Sequence, residues 1–357
     1  ALSSIFGAMR PIIRLFRWWF RHLRTDALLA LRQWSMEPEW PLLAVAVPLM
    51  VSFFVHWLGF RLALHQVGFS APIFAPTEWE GRTGWRKPLV FGISNAMVFA
   101  SLREALASQQ LVCRSLVSHL VAWATAIEVS IITVQAWRGV GSHFNVSTSL
   151  DAGLYFVKLC GASLLGFGCF AAALGFTWRP AAVPEAKAIA LRHGLWSLCV
   201  AVLVGVGQAV YGHLPRQPHS AEDAPCLVAT AAASASPCYE IHGQAIVKLA
   251  HFLPLHVTEV LLTLAWAASY LENTLGPPAV RSAALGCWSL TCLGFWVTLR
   301  GENIKSPTVA VAVALSISLG TIAMAFVFVI VAPLLTDWRR KRIWHAWVVN
   351  AAPVCSS

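Results

Sequence analysis

The chain has 357 residues, of which 57% are hydrophobic and only 12% are charged. About a quarter of the residues of an average soluble domain are charged, so this composition excludes an ordinary soluble protein. The formal net charge of +10 does not indicate nucleic-acid binding, because the basic residues flank apolar runs and there orient a chain in the membrane. Several runs reach the roughly 20 residues that cross a bilayer as a helix. The sequence therefore predicts an all-α fold, a polytopic transmembrane helical bundle.

Residues 1–40 carry arginines at three- or four-residue spacing among aromatic residues and leucines. This spacing collects the arginines on one face of a helix, which is typical of a basic amphipathic helix lying on an anionic leaflet. We predict such a helix for residues 1–40. A mitochondrial targeting segment is the alternative, because the region is rich in arginine and has no acidic residue before Asp26.

Eight apolar runs follow and define a transmembrane bundle over residues 41–338. The second run is the weakest, because Ser94, Asn95 and Arg103 interrupt it. The predicted spans are 41–62, 88–106, 115–137, 150–177, 188–211, 246–271, 280–299 and 307–335.

The distribution of lysine and arginine predicts the orientation of these spans. Most of the 26 basic residues lie in inside segments if the N-terminus is cytoplasmic, as basic residues do in inner-membrane proteins. We predict a cell (inner) membrane protein with both termini cytoplasmic, a cytoplasmic tail at 339–357 and an external loop at 213–245. The sequence does not decide between a bacterial and an organellar membrane. Cys226 and Cys238 share that loop, where an oxidising compartment would favour a disulfide over two free thiols.

Glu128 lies in the middle of the third apolar run. An ionised side chain at the centre of a membrane helix costs about 2.5–3.5 kcal/mol by insertion scales. Most of the other polar residues of the spans fall in the outer half of the predicted bundle, so we expect an outward-facing polar pocket. The candidate substrate-binding residues are Lys87, Asn95, Gln135, Arg138, His143, Asn145 and Lys158.

The sixth span carries two histidines, a glutamate and a proline. On a continuous helix His251, His256 and Glu259 share one face, and Pro254 must kink that helix. Such a face suits proton transfer, so the candidate catalytic residues are Glu128, His251, His256 and Glu259. The spacing of the two histidines matches no common metal motif, and no metal ligand set is assigned.

Three segments together resemble a family of multi-pass membrane proteins known mainly as bacterial sequences of unassigned activity. They are WRKPLVFGIS at 85–94, VQAWRGVGSHFN at 134–145 and HFLPLHVTEVL at 251–261. The resemblance groups these three segments as a common core. It implies no activity, cofactor or partner.

The leading hypothesis is a membrane-embedded enzyme that acts on a lipophilic substrate by acid–base chemistry. Glu128 and Glu259 would be the acids, histidines the proton partners, and Arg138 and Lys158 the groups that hold an anionic head group. The alternatives are a transporter or sensor for a small anionic or amphiphilic ligand, and a haem or quinone redox protein using His251 with His143 or His119. A structural ion pair of Glu128 with Arg138 or Lys158 would need no ligand. The expected partners are membrane lipid and a lipophilic or anionic small molecule, and the cofactor is unknown.

Overall fold

A computed structural model describes residues 37–64, 86–110, 113–143, 145–178, 183–213, 240–241, 245–246, 248–270, 275–300 and 307–351. These residues form the helices α1 (Trp40–Leu64), α2 (Arg86–Ala107), α3 (Arg114–Trp137), α4 (Ser149–Trp178), α5 (Glu185–His213), α6 (Lys248–Leu255), α7 (Val257–Tyr270), α8 (Gly276–Arg300) and α9 (Val309–Ala351). A short antiparallel pair, β1 (Glu240–Ile241) and β2 (Ala245–Ile246), precedes α6.

Eight stretches of these helices are long and apolar enough to cross a membrane. They coincide with the eight predicted runs, and α6 and α7 together supply the sixth. The prediction of an all-α, multi-pass membrane bundle is confirmed. We call the membrane face at which α1 begins the proximal face, and the face at which α1 ends the distal face.

The sixth span differs from a continuous helix. Helix α6 ends at Leu255 and α7 begins at Val257, so His256 lies in a break between them. Pro254 causes the break, because proline lacks the amide hydrogen and its ring collides with the preceding turn. Its carbonyl oxygen accepts a hydrogen bond from Ser197 Oγ on α5, at 3.0 Å. The kink predicted at Pro254 is therefore present, and it divides the span in two.

The last helix continues beyond its predicted end. Helix α9 runs to Ala351, through much of the segment 339–357 that the sequence predicted as a tail. Arginine, lysine and alanine are good helix formers, so nothing in their propensities ends a helix there. The predicted amphipathic helix over 1–40 and the predicted disulfide between Cys226 and Cys238 fall largely or wholly outside the described residues and stay predictions.

Two buried apolar clusters hold the bundle together. The first contains residues of α1, α2, α3, α4 and α5 and is centred on Phe99, Leu102 and Phe176. The second joins α5, α7, α8 and α9 around Leu264 and other small and branched side chains. Helix α5 contributes to both, so it connects the two halves of the described bundle.

Glycines bring α5 close to α7 and α4 close to α3. A Cβ at Gly194 would lie 2.7 Å from Thr258 Cα, and a Cβ at Gly161 would lie 3.0 Å from the carbonyl oxygen of Ala124. Lipid tails are as apolar as leucine, so membrane helices associate largely through such close packing of small residues. The contact at Gly194 fixes the start of α7 against α5, only two residues from His256.

Ion pairs connect helix ends and their flanking residues at the proximal face. Their side chains are mostly partly exposed, and such pairs contribute about 0–1 kcal/mol each, so they orient the helices more than they stabilise them. The pairs are Arg103 with Glu37, Arg114 with Glu39, Lys187 with Glu104, and Arg281 with Glu185.

Replacing Gly194 with alanine should destabilise the protein by about 1–3 kcal/mol, because the added methyl group meets the backbone of α7. Gly207 on the same helix is the matched control, since nothing lies within 4 Å of its Cβ position. Thermal unfolding in mild detergent gives the unfolding temperature of both variants. A thiol-reactive dye monitors it by detecting the buried Cys169 and Cys199 as they become accessible. Equal unfolding temperatures for the two variants would contradict the close packing of α5 on α7.

Candidate functional site

Polar side chains from four spans lie at a similar depth. Ser94 on α2, Glu128 on α3, Lys158 on α4 and His256 between α6 and α7 are each about 12–14 Å along the helix axis from the distal end of their span, at 1.5 Å per residue. Within this layer they form two separate groups. One group is built on His256, and the other on Glu128 and Lys158.

His256 lies between a hydroxyl group and a carboxylate. Its Nε2 is 3.0 Å from Ser94 Oγ, and its Nδ1 is 3.7 Å from Glu259 Oε2. Ser94 comes from α2, whereas Glu259 is in the first turn of α7. The break caused by Pro254 therefore places His256 opposite α2 while keeping it one turn from Glu259.

Within the described part of the chain, the imidazole Nδ1 and the carboxyl group that face each other here lack further partners. In the described part of the chain, His256 Nδ1 and both carboxylate oxygens of Glu259 are buried without a hydrogen bond. A buried polar atom left unsatisfied costs about 1–3 kcal/mol. A carboxylate beside Nδ1 favours the tautomer that carries the proton on Nδ1, and in that tautomer Nε2 can accept the proton of the Ser94 hydroxyl.

This arrangement is suited to general-base chemistry. A histidine within hydrogen-bond distance of a hydroxyl can take its proton, and a carboxylate on the other ring nitrogen stabilises the imidazolium that results. The His256 side chain is 21% exposed, and the ring of Phe252 packs edge-on against it at 4.8 Å between centroids. A reacting group can thus approach the imidazole beside an aromatic ring.

The second group surrounds Glu128, which is partly exposed. Its carboxylate is attracted by the ammonium groups of Lys158 and Lys87. Lys158 is buried; its Nζ donates to the carbonyl oxygen of Ser142 at 3.1 Å and lies over the ring of Tyr155. Lys87 Nζ donates to His143 Nδ1 at 2.9 Å. The ammonium group of Lys158 is thus one source of positive charge for Glu128, with Lys87 as a further cation.

The turn after α3 brings Ser142 and His143 over this group. Gly139 has φ 67°, a conformation open to glycine and rarely adopted by other residues. Its amide donates to Ala136 O, and the amide of Val140 donates to Gln135 O. These two hydrogen bonds form a Schellman motif, which ends a helix and reverses the chain.

Asp151 forms a third polar centre, which was not predicted from the sequence. Its carboxylate accepts from Gln135 Nε2 at 2.9 Å, from Arg138 Nη1 at 2.7 Å and from Thr148 Oγ1 at 2.7 Å. Asn145 belongs to the same turn, because Ser147 Oγ lies 2.7 Å from Asn145 Oδ1 and 3.2 Å from Asp151 Oδ2. The signal was present: T-x-x-D before an apolar run is a capping pattern, and the amide of Asp151 donates to Thr148 Oγ1 at 3.1 Å.

The structure therefore distributes the candidate residues over separate environments. Gln135, Arg138 and Asn145 contribute to the Asp151 network, and Arg138 does not pair with Glu128. His251 lies in α6, before the break at His256, and its Nδ1 donates to Ala201 O at 2.7 Å. Asn95 donates to Phe91 O at 2.9 Å within α2. The roles predicted for these residues stay predictions.

No family model, curated protein or solved structure matches this chain. Among the described residues, no group of three or more histidine, cysteine, aspartate and glutamate side chains could hold a metal ion. What the protein does must therefore be inferred from the chemistry of its side chains.

Replacing Asp151 with alanine should lower the free energy of unfolding by about 3 kcal/mol, because Gln135, Arg138 and Thr148 lose the carboxylate that accepts their hydrogen bonds. Glu259→Gln should leave it unchanged or raise it, because a neutral amide is easier to bury than a carboxylate that accepts no hydrogen bond. The same dye-based thermal unfolding compares the two variants. If Glu259→Gln is as destabilising as Asp151→Ala, the carboxylate of Glu259 has a structural role.

Proposed function

We propose that this integral membrane protein is a membrane-embedded enzyme that acts on a lipophilic substrate by acid–base chemistry. One observation carries the proposal: His256 has a hydroxyl 3.0 Å from one ring nitrogen and a carboxylate 3.7 Å from the other. Proton transfer by a histidine so placed contributes typically 100- to 10,000-fold to a rate. His256 is the acid–base residue, and Glu259 positions and polarises its ring.

The surroundings of His256 support a lipophilic substrate. Phe252, which packs on the imidazole, is 47% exposed on the outer surface of the bundle. A substrate dissolved in the membrane can reach the imidazole along this aromatic side chain without crossing water. Apolar walls with few polar groups are the usual composition of small-molecule sites.

The Glu128 group supports a second role within the same proposal. Lys158 provides positive charge at the depth of His256, and Lys87 provides it nearer the distal face. The two lysines would hold an anionic head group while the apolar part of the substrate stays in the membrane. Gly161 keeps α3 and α4 close at this level. Glu128 then balances the two cations when no substrate is bound.

A carrier or sensor for a small anionic or amphiphilic ligand is the second candidate. The observation that favours it is the asymmetry of the described bundle. Four ion pairs of lysine or arginine lie at the proximal face, whereas the distal half has the Arg138–Asp151 pair together with cations such as Lys158. A carrier moves ligand across sealed vesicles without changing it. An enzyme converts its substrate whether or not the vesicle is sealed.

The test is conversion of membrane lipid by the purified full chain. Native mass spectrometry and an absorption spectrum of protein in mild detergent first identify any bound lipophilic molecule or coloured cofactor. The protein is then incubated with a total lipid extract in heavy water, and masses that change or gain deuterium are recorded. His256→Ala should slow the conversion at least about 100-fold, and Glu259→Gln should slow it to a smaller extent.

The control is His193→Gln, because His193 accepts a hydrogen bond from Trp288 at 3.2 Å in the other half of the bundle. It should convert lipid at the wild-type rate. If the His256→Ala variant also converted lipid at the wild-type rate, the proposal would be wrong. A haem absorption band would also overturn it and favour His251 and His143 as ligands, whereas unchanged lipid with flux in sealed vesicles would favour the carrier.

A further inference from the structure

We infer that Ser94 is a nucleophile, and that the substrate is a carboxylic ester with a long apolar chain. The inference rests on the proposed function and makes its chemistry specific. A hydroxyl, an imidazole and a carboxylate in sequence are the parts that acyl transfer requires. Ser94, His256 and Glu259 supply them from α2, from the break after α6 and from α7.

The hydrogen bonding of Ser94 departs from that of many other hydroxyls in this bundle. A serine or threonine within a helix commonly donates to the carbonyl oxygen four residues earlier, and many do so here. They are Thr133, Ser163, Thr177, Thr291, Ser318 and Thr321. Ser94 instead bonds across the helix interface to His256, a residue 162 positions away in the chain.

The distances fit activation of the hydroxyl. Ser94 Oγ and His256 Nε2 are 3.0 Å apart, within the roughly 2.6–3.2 Å expected of a nucleophile and its base. The carboxylate of Glu259 is 3.7 Å from Nδ1, and such contacts in enzymes without substrate are often longer than in the reacting complex. The bond between Ser94 and His256 also joins the two halves of the bundle, because Ser94 is on α2 and His256 directly precedes α7.

The reaction proceeds in two balanced steps. Ser94 Oγ attacks the ester carbonyl carbon and its proton passes to His256 Nε2; the bond from that carbon to the alcohol oxygen then breaks, and the alcohol leaves with the proton. Water next attacks the acyl group on Ser94 and gives a proton to His256. The carboxylic acid is released, and Ser94 Oγ takes that proton back. No electron transfer is involved.

An alkyl fluorophosphonate with a dodecyl chain tests the nucleophile directly. Ser94 Oγ should displace fluoride and form a stable bond to phosphorus, and tandem mass spectrometry of the full chain in native membranes should find the adduct on Ser94. Ser94→Ala should abolish labelling. Ser101→Ala is the matched control, because Ser101 is on the same helix and is 8% exposed, as Ser94 is; it should be labelled as fast as the wild type.

The labelling rate also tests the other two residues. His256→Ala should slow labelling about 100-fold. Glu259 is a positioning residue, so Glu259→Gln should slow labelling and Glu259→Asp should restore part of the rate, a rescue that a purely structural role does not predict. Suppose that the wild type converts lipid, that His256→Ala slows this conversion, and that no adduct forms on Ser94. This result would overturn the role of Ser94 as nucleophile and leave the acid–base proposal intact. Labelling that persists in Ser94→Ala would likewise overturn it.

Discussion

The interior of a bilayer offers no water to a polar group, and this constraint explains most of the side-chain arrangement. Each buried polar atom must find a partner in the protein or carry a cost. Asp151 meets the constraint fully, because its carboxylate accepts bonds from Gln135, Arg138 and Thr148. Glu259 does not, since neither of its oxygens has a hydrogen bond within the described bundle. Two buried carboxylates in one membrane protein are thus treated in opposite ways.

The same constraint shapes the backbone of the sixth span. Pro254 interrupts the helix, and Ser197 on α5 supplies a hydrogen bond to its carbonyl oxygen. Broken helices occur at membrane depth where neighbouring helices satisfy the freed groups, and they often lie at binding sites. Gly194 allows α5 to approach closely enough for this exchange. The position of His256 therefore depends on packing by α5 as well as on its own sequence.

The bundle was predictable from the sequence to a greater extent than its site. Span length and apolar composition are local properties, so all eight spans were found within a few residues of their ends. The His256–Glu259 pair was also local, at a separation of one helical turn. Ser94 was not, because its bond to His256 depends on how α2 packs against the break in a distant span. The predicted common face of His251, His256 and Glu259 assumed a continuous helix, whereas the span is divided at His256, and the common face stays a prediction.

A buried network that exists only for stability tends to saturate its acceptors, as the turn around Asp151 does. Evolution retains unsatisfied groups at a cost mainly where they act on something else. In the described bundle, His256 Nδ1 and the Glu259 carboxylate are such groups, and they adjoin a hydroxyl that avoids the usual bond within its own helix. A purely structural role would explain the bond between Ser94 and His256, but it gives no reason for a buried carboxyl group to remain beside it without a hydrogen bond in the described bundle. Proton transfer gives that reason, because the carboxylate gains its full interaction only when the imidazole becomes charged during reaction.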